Sequence, residues 1–207
     1  MLGFKTDATY FNLLSEQGNA IFRAAEIIRL ISLDTERAEM YIAQMDLVLN
    51  ESNEFATELL NRVVSVFISP LDKEDFQILT RTLQNTVEGF NNIILLFGEF
   101  KIIKTLKNFQ KIAELLVELG GLLKEAVDCL HTKQRRQEMT EVLRQIRRLK
   151  SETHRVCWKT LGDMIEDQKL NSRNRLKWSN IIERIDRSLF DMLRVVEVLE
   201  LLSIKYA

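Results

Sequence analysis

The sequence predicts an all-α protein, and three observations carry that reading. Apolar residues recur at steps of three and four along most of the chain, the spacing that lines them up on one face of a helix. One proline and seven glycines in 207 residues leave almost no turn punctuation, as expected of long uninterrupted helices. No segment shows the strict alternation of a half-buried strand.

Six helices follow in order. The first covers about 9–32, with Phe11, Leu14, Ala25, Ile28 and Ile31 on its apolar face. The second covers about 35–67 and carries a near-heptad stripe through Ile42, Met45, Leu49, Phe55, Leu59, Val63 and Val66. The sharpest boundary comes next, in "VFISPLDKEDFQIL" at 66–79, which holds the only proline. Pro70 lacks an N–H and its ring clashes with a preceding helical turn, while Ser69 before it is pushed towards extended geometry. Asp72, Glu74 and Asp75 then fall where a new helix has unpaired N–H groups and partial positive charge.

The third helix therefore spans about 72–98, with Phe76, Leu79, Leu83, Phe90, Ile94 and Phe97 inward. The fourth runs from about 102 to 130 and is expected to loosen at Gly120–Gly121, where paired glycines weaken a helix. The fifth, about 134–166, places Met139, Val142, Ile146, Leu149, Val156, Thr160 and Met164 on one face. The sixth, about 173–204, does the same with Leu176, Ile181, Ile185, Leu189, Leu193, Val196 and Leu199.

Rods of about 30 residues are about 45 Å long, and short connections make sequential neighbours antiparallel. The expected architecture is six long antiparallel helices in two tandem three-helix units. They form one domain over 1–207, with pseudo-repeat halves at about 1–100 and 101–207. A faint echo between "NESNE" at 50–54 and "SETHR" at 151–155 favours the two-unit arrangement over a single bundle.

Net charge is −1, but it is divided unevenly. Residues 1–100 hold 7 Lys/Arg and 15 Asp/Glu, whereas 101–207 hold 22 and 15. Such a split suits an acidic half packed near a basic half or a second subunit, and it can also steer an acidic partner. The basic run "KQRRQEMTEVLRQIRRLK" at 133–150 is interleaved with the apolar positions of its own helix. It reads as a solvated face, and no nucleic-acid motif accompanies it.

No apolar run approaches the roughly 20 residues needed to cross a bilayer, and "MLGFKTDATYF" has no secretion-signal pattern. Cys129 and Cys157 lack disulfide-framework or metal spacing. These features point to a reduced, cytoplasmic protein. A dinuclear carboxylate site in a bundle needs two Glu-x-x-His elements, and "DCLH" at 128–131 supplies only one Asp-x-x-His. His131, near a helix end, is expected to meet terminal carbonyls, and Trp158 and Trp178 to pack in the core or an interface. No activated nucleophile, glycine phosphate loop or Cys/His zinc pattern is present, so the chain reads as non-enzymatic.

"FISPLDKED" at 67–75 resembles the helix junction of the PhoU-like family of phosphate-transport accessory proteins, in particular the branch found with Pit-type inorganic phosphate permeases. Phe67, Ile68, Ser69, Pro70, Asp72, Lys73, Glu74 and Asp75 match, as do the six-helix order and the ending "IKYA" at 204–207. The resemblance implies an elongated bundle of two three-helix units and a regulatory role in phosphate uptake. It also implies docking, from the cytoplasmic face of the membrane, onto a Pit-type permease or another membrane or signalling protein, with homo-oligomers as a further option. A helical scaffold or adaptor unrelated to phosphate is the alternative.

The resemblance further implies Glu/Asp-x-x-x-Asp elements holding iron or zinc, and here the chain departs from the family. Glu51 remains but Asn53 replaces an acid; Glu88 remains beside Gln84 and Asn85. Glu152 remains, with Lys150 and His154 at acid positions, and Asp186 remains while Ile182 does not match. The metal positions Glu51, Glu88, Glu152, His154 and Asp186 are thus expected to be degenerate. No cofactor is expected, with one weakly held ion at Glu152, His154 and Asp186 as the residual alternative, and polar pairs are expected in place of the clusters.

Overall fold

A computed structural model describes residues 3–67, 69–131 and 133–206, with the side chains of all but 3–8, 133, 134, 136 and 137. Its six helices are α1 (Gly3–Leu33), α2 (Ala38–Ser65), α3 (Lys73–Glu99), α4 (Phe109–Asp128), α5 (Lys133–Glu166) and α6 (Ser172–Lys205). Short 3-10 turns at Thr35–Arg37 and Cys129–His131 complete the regular structure, and no strand occurs among the described residues.

Within the first triplet α1, α2 and α3 pack on one another; in the second, α5 packs on α4 and α6. The triplets join along two long antiparallel seams, α1 against α4 and α3 against α6. One continuous apolar core results, running through all six helices. Its middle is built from fully buried residues such as Leu14, Ile28, Phe90, Leu116, Ile185 and Leu199. At about 1.5–3 kcal/mol for each fully buried aliphatic side chain, these seams outweigh every surface interaction in the molecule.

The glycines of α4 do not loosen it: the helix runs unbroken from Phe109 to Asp128. Gly120 instead lets two backbones approach. A Cβ there would lie 3.1 Å from the Phe22 Cα and 3.4 Å from the Ala25 Cβ, and one at Gly18 would lie 3.3 Å from the Lys124 Cα. The seam between α1 and α4 is therefore closest where these two residues have no side chain.

Other boundaries differ from expectation for identifiable reasons. α4 starts at Phe109 rather than near 102 because α3 ends in a Schellman closure. There the Lys101 N–H donates to the Gly98 carbonyl and the Ile102 N–H to the Phe97 carbonyl, both at 3.0 Å. Lys101 takes φ 48°, the left-handed conformation such a closure demands. Residues 101–107 then form a connector that leads to Asn108, the N-cap residue of α4.

On α2 the buried seam runs through Tyr41, Met45, Val48, Ser52, Ala56, Leu59 and Val63, with Ile42, Leu49, Phe55 and Val66 partly buried at its margin. Leu176 stays 66 % exposed, since Trp178 takes the inward position of that turn. Trp178 packs with Phe97 and Phe109 at ring separations of 5.8 and 5.0 Å. Trp158, by contrast, is 62 % exposed and lies outside the core. The His131 ring lies against Phe11 at 5.6 Å, tilted by 40°, a ring contact where carbonyl contacts were expected.

The glycines give a paired prediction. Gly120→Ala forces backbone against backbone, so the overpacking cost of about 1–3 kcal/mol exceeds the helix-propensity gain of about 1 kcal/mol and the protein loses stability. Gly121→Ala meets only the Phe22 ring at 3.8 Å, so it keeps the gain and stabilises by about 0.5–1 kcal/mol. Denaturant unfolding of the two variants measures the opposite signs.

Candidate functional site

The remaining acids of the suspected metal positions lie along the middle of the bundle, and the structure gives them separate fates. Glu51 on α2 is ion-paired with Arg23 of α1. Beside it, Asn53 accepts a hydrogen bond from Gln84 Nε2 of α3 at 3.1 Å, so two amides join the helices where the resemblance implies acids, a polar pair of the kind expected. Glu88 is exposed on α3 and borders a shallow depression of about 220 Å³ with Arg184 and Arg187 of α6.

On the other half, Glu152 is exposed. His154 and Asp186 do meet, with His154 Nδ1 2.5 Å from Asp186 Oδ1. A carboxylate only accepts, so Nδ1–H is the donor. The Trp158 ring stands edge-on to His154 at 6.0 Å, and Lys150 places its ammonium 4.4 Å from the centre of the Phe190 ring, a cation–π contact.

This donor set does not fit an iron or zinc cluster. Structural zinc takes four ligands, and hard cations take six or more oxygens. Among the described residues no group of three His, Cys, Asp or Glu side chains is placed to hold a metal ion. The structure brings two candidates together, His154 and Asp186, and gives Glu51 an arginine. Burial, and then the Asp186 charge, pushes the nearby Cys157 thiol up to about 12. Burial also raises Cys129.

The proline junction is tied to the far end of the chain. Asp72 caps α3 without a side-chain capping bond. Its backbone N–H donates instead to the Tyr206 hydroxyl at 2.8 Å, and that hydroxyl donates to Asp75 Oδ2 at 2.7 Å. Lys205 Nζ completes the lock, 2.6 Å from Asp72 Oδ2 and 2.7 Å from Asp75 Oδ2. The two stretches on which the family resemblance rests are therefore one tertiary contact. Ile68 and Ala207, which belong to the same stretches, lie outside the described residues.

Arg23, Lys205 and Tyr206 escaped the sequence reading as partners. The signal for the last two was already present in the shared motif ends, but no local pattern pairs residues this far apart.

No family model matches the chain, and no curated protein matches it. Among solved structures, the crystal structure of a PhoU-like protein from Shewanella oneidensis MR-1 superposes with a TM-score of 0.83 at 14% sequence identity, covering 94% of this chain and 99% of that one. The fold is thus that of the PhoU-like helical bundle over nearly its whole length.

The lock has a defined pH window. The Lys205 hydrogen bond, and then its charge, holds the Asp72 carboxyl below the usual carboxylate range. Its contribution is therefore present above the ordinary Asp value of about 4 and lost as pH falls through the depressed one. Hydrogen bonds to Asp72 and then Asp75 raise Lys205, so its share is complete below the ordinary lysine value of about 10 and lost only at more alkaline pH. Exposed ion pairs contribute little, which leaves the tyrosine hydrogen bonds as the larger part. Tyr206→Phe should cost about 1 kcal/mol in denaturant unfolding. The smaller difference between wild type and Asp72→Asn should disappear on acidification below about pH 4.

Proposed function

We propose that the chain is a non-enzymatic accessory protein of inorganic phosphate transport. It docks helical surfaces, from the cytoplasmic side, onto a Pit-type phosphate permease or another membrane or signalling protein. The observation that carries this reading is the near end-to-end likeness to a PhoU-like protein, joined to the family-like junction whose residues here make a working lock. No helix of the described residues is long and apolar enough to cross a membrane, so the membrane partner has to supply the transport path.

On the same reading the protein acts without a metal cluster. Interhelical polar pairs, Glu51 with Arg23, Asn53 with Gln84 and His154 with Asp186, hold the helices together where the family's ligands would converge. Losing anionic ligands and placing an arginine on one of those that remain lowers affinity for any cation.

Two measurements test these statements. Deleting the gene should change phosphate accumulation or the starvation response; an unaltered response in both assays favours an adaptor with no phosphate role. Elemental analysis of freshly purified protein should find iron and zinc far below one per chain, and a stoichiometric metal overturns the metal-free reading.

A further inference from the structure

One end of the bundle carries an array of unpaired cations that neither the core nor the polar pairs explain. The connector after α3 reads "KIIKTLK" at 101–107, with lysine at every third position and no acid between Glu99 and Glu114. Lys101, Lys104 and Lys107 line a groove of about 580 Å³ whose other wall includes Lys169 and Lys177. Asp167 is the one acid on its lining, and none of the five lysines belongs to an ion pair among the described residues.

Two features of the connector show more than a solvated loop. Lys101 adopts φ 48°, where an L-residue with a Cβ is disfavoured by about 1–2 kcal/mol and glycine is the usual occupant. The lysine side chain is kept there at a conformational cost. Ile103, flanked by lysines, is 85 % exposed, although its backbone is fixed: the Thr35 hydroxyl donates to the Ile103 carbonyl at 2.6 Å. The neighbouring Ile102 is 7 % exposed and anchored in the core. At the far side of the connector, Asn108 Nδ2 donates to Asp163 Oδ2 at 2.9 Å. The connector is a pinned platform that presents one aliphatic tip among cations.

We infer that this end of the bundle docks directly on an anionic phospholipid surface, with Ile103 entering the headgroup region and the lysines of the groove lying over lipid phosphates. Lysine point charges near an anionic bilayer each contribute about 1 kcal/mol, and an aliphatic side chain at the interface adds burial that water denies it. A small phosphate ligand accounts for the lysines but leaves Ile103 in water. Single-stranded nucleic acid calls for stacking aromatics, whereas the groove's Trp178 is buried against Phe97 and Phe109. The inference concerns lipid contact by the chain itself and is independent of any phosphate role.

Co-flotation of the full chain with protein-free vesicles tests it, comparing phosphatidylcholine alone with a mixture of phosphatidylcholine and phosphatidylglycerol. The chain should float with the anionic vesicles, remain behind with the neutral ones, and be released by high salt. Lys104→Glu/Lys107→Glu should weaken anionic binding more than about tenfold. Ile103→Ser should weaken it severalfold without changing its salt dependence. All three residues are exposed, so circular dichroism should show unaltered folding. Absence of binding to anionic vesicles overturns the inference, as does equal binding by the charge-reversed variant. Binding that ignores Ile103→Ser and is abolished by soluble polyglutamate also overturns it, in favour of an acidic protein partner.

Discussion

The approach of α1 to α4 is the constraint on which the rest of this molecule depends. Neither triplet of helices can bury its apolar faces alone, because α4 has a buried residue on nearly every turn from Phe109 to Val127 and α1 does the same from Tyr10 to Ile31. Those faces are satisfied only against each other. Gly18 and Gly120 make the match close, since each removes a side chain where the opposite backbone passes. Close packing gives dispersion contacts that a void or a spacer forfeits. The antiparallel seam of α3 with α6 then follows from the same docking, with Gly89 abutting Ser188.

Given that docking, the place of the lone proline acquires a second explanation. Pro70 ends a helix, a local effect, but the turn it creates also delivers Asp72 and Asp75 to the last turn of α6. There Lys205 and Tyr206 find their acceptors. The lock joins the end of the second triplet to the middle of the chain. Its ion pairs contribute modestly to stability because Lys205 and Asp72 face water, and it ties the last turn of α6 to the first turn of α3.

The middle and one end of the bundle are chemically distinct. Along the middle, Glu51 is ion-paired with an arginine and Asp186 accepts a hydrogen bond from a histidine, with the Asn53–Gln84 pair bridging α2 and α3. These pairs stabilise helix contacts and leave no common focus for a cation. At the end formed by the 101–107 connector the lysines have no ion-pair partner among the described residues and the backbone is pinned by the Thr35 and Asn108 hydrogen bonds. The exposed Trp158 beside His154 belongs to neither group, and nothing in the structure explains it.

Much of the fold was legible in the sequence, because helix period and burial are written in neighbouring residues. Six helices, their order and most of their inward faces follow from spacings of three and four, with Pro70 marking the sharpest break. The resemblance carried by the 67–75 junction also raised the expectation that the metal-type acids are depleted. What it left open required the third dimension. The glycines of α4 read as weak points until α1 was seen to lie across them, and Leu176 read as core until Trp178 filled that turn. The partners of Glu51, Asp72 and Asp186 were undecided, since charge pairing depends on which helices dock and at what register. Helix period is a property of neighbours along the chain; adjacency between helices depends on how whole faces fit, and only the folded bundle decides that.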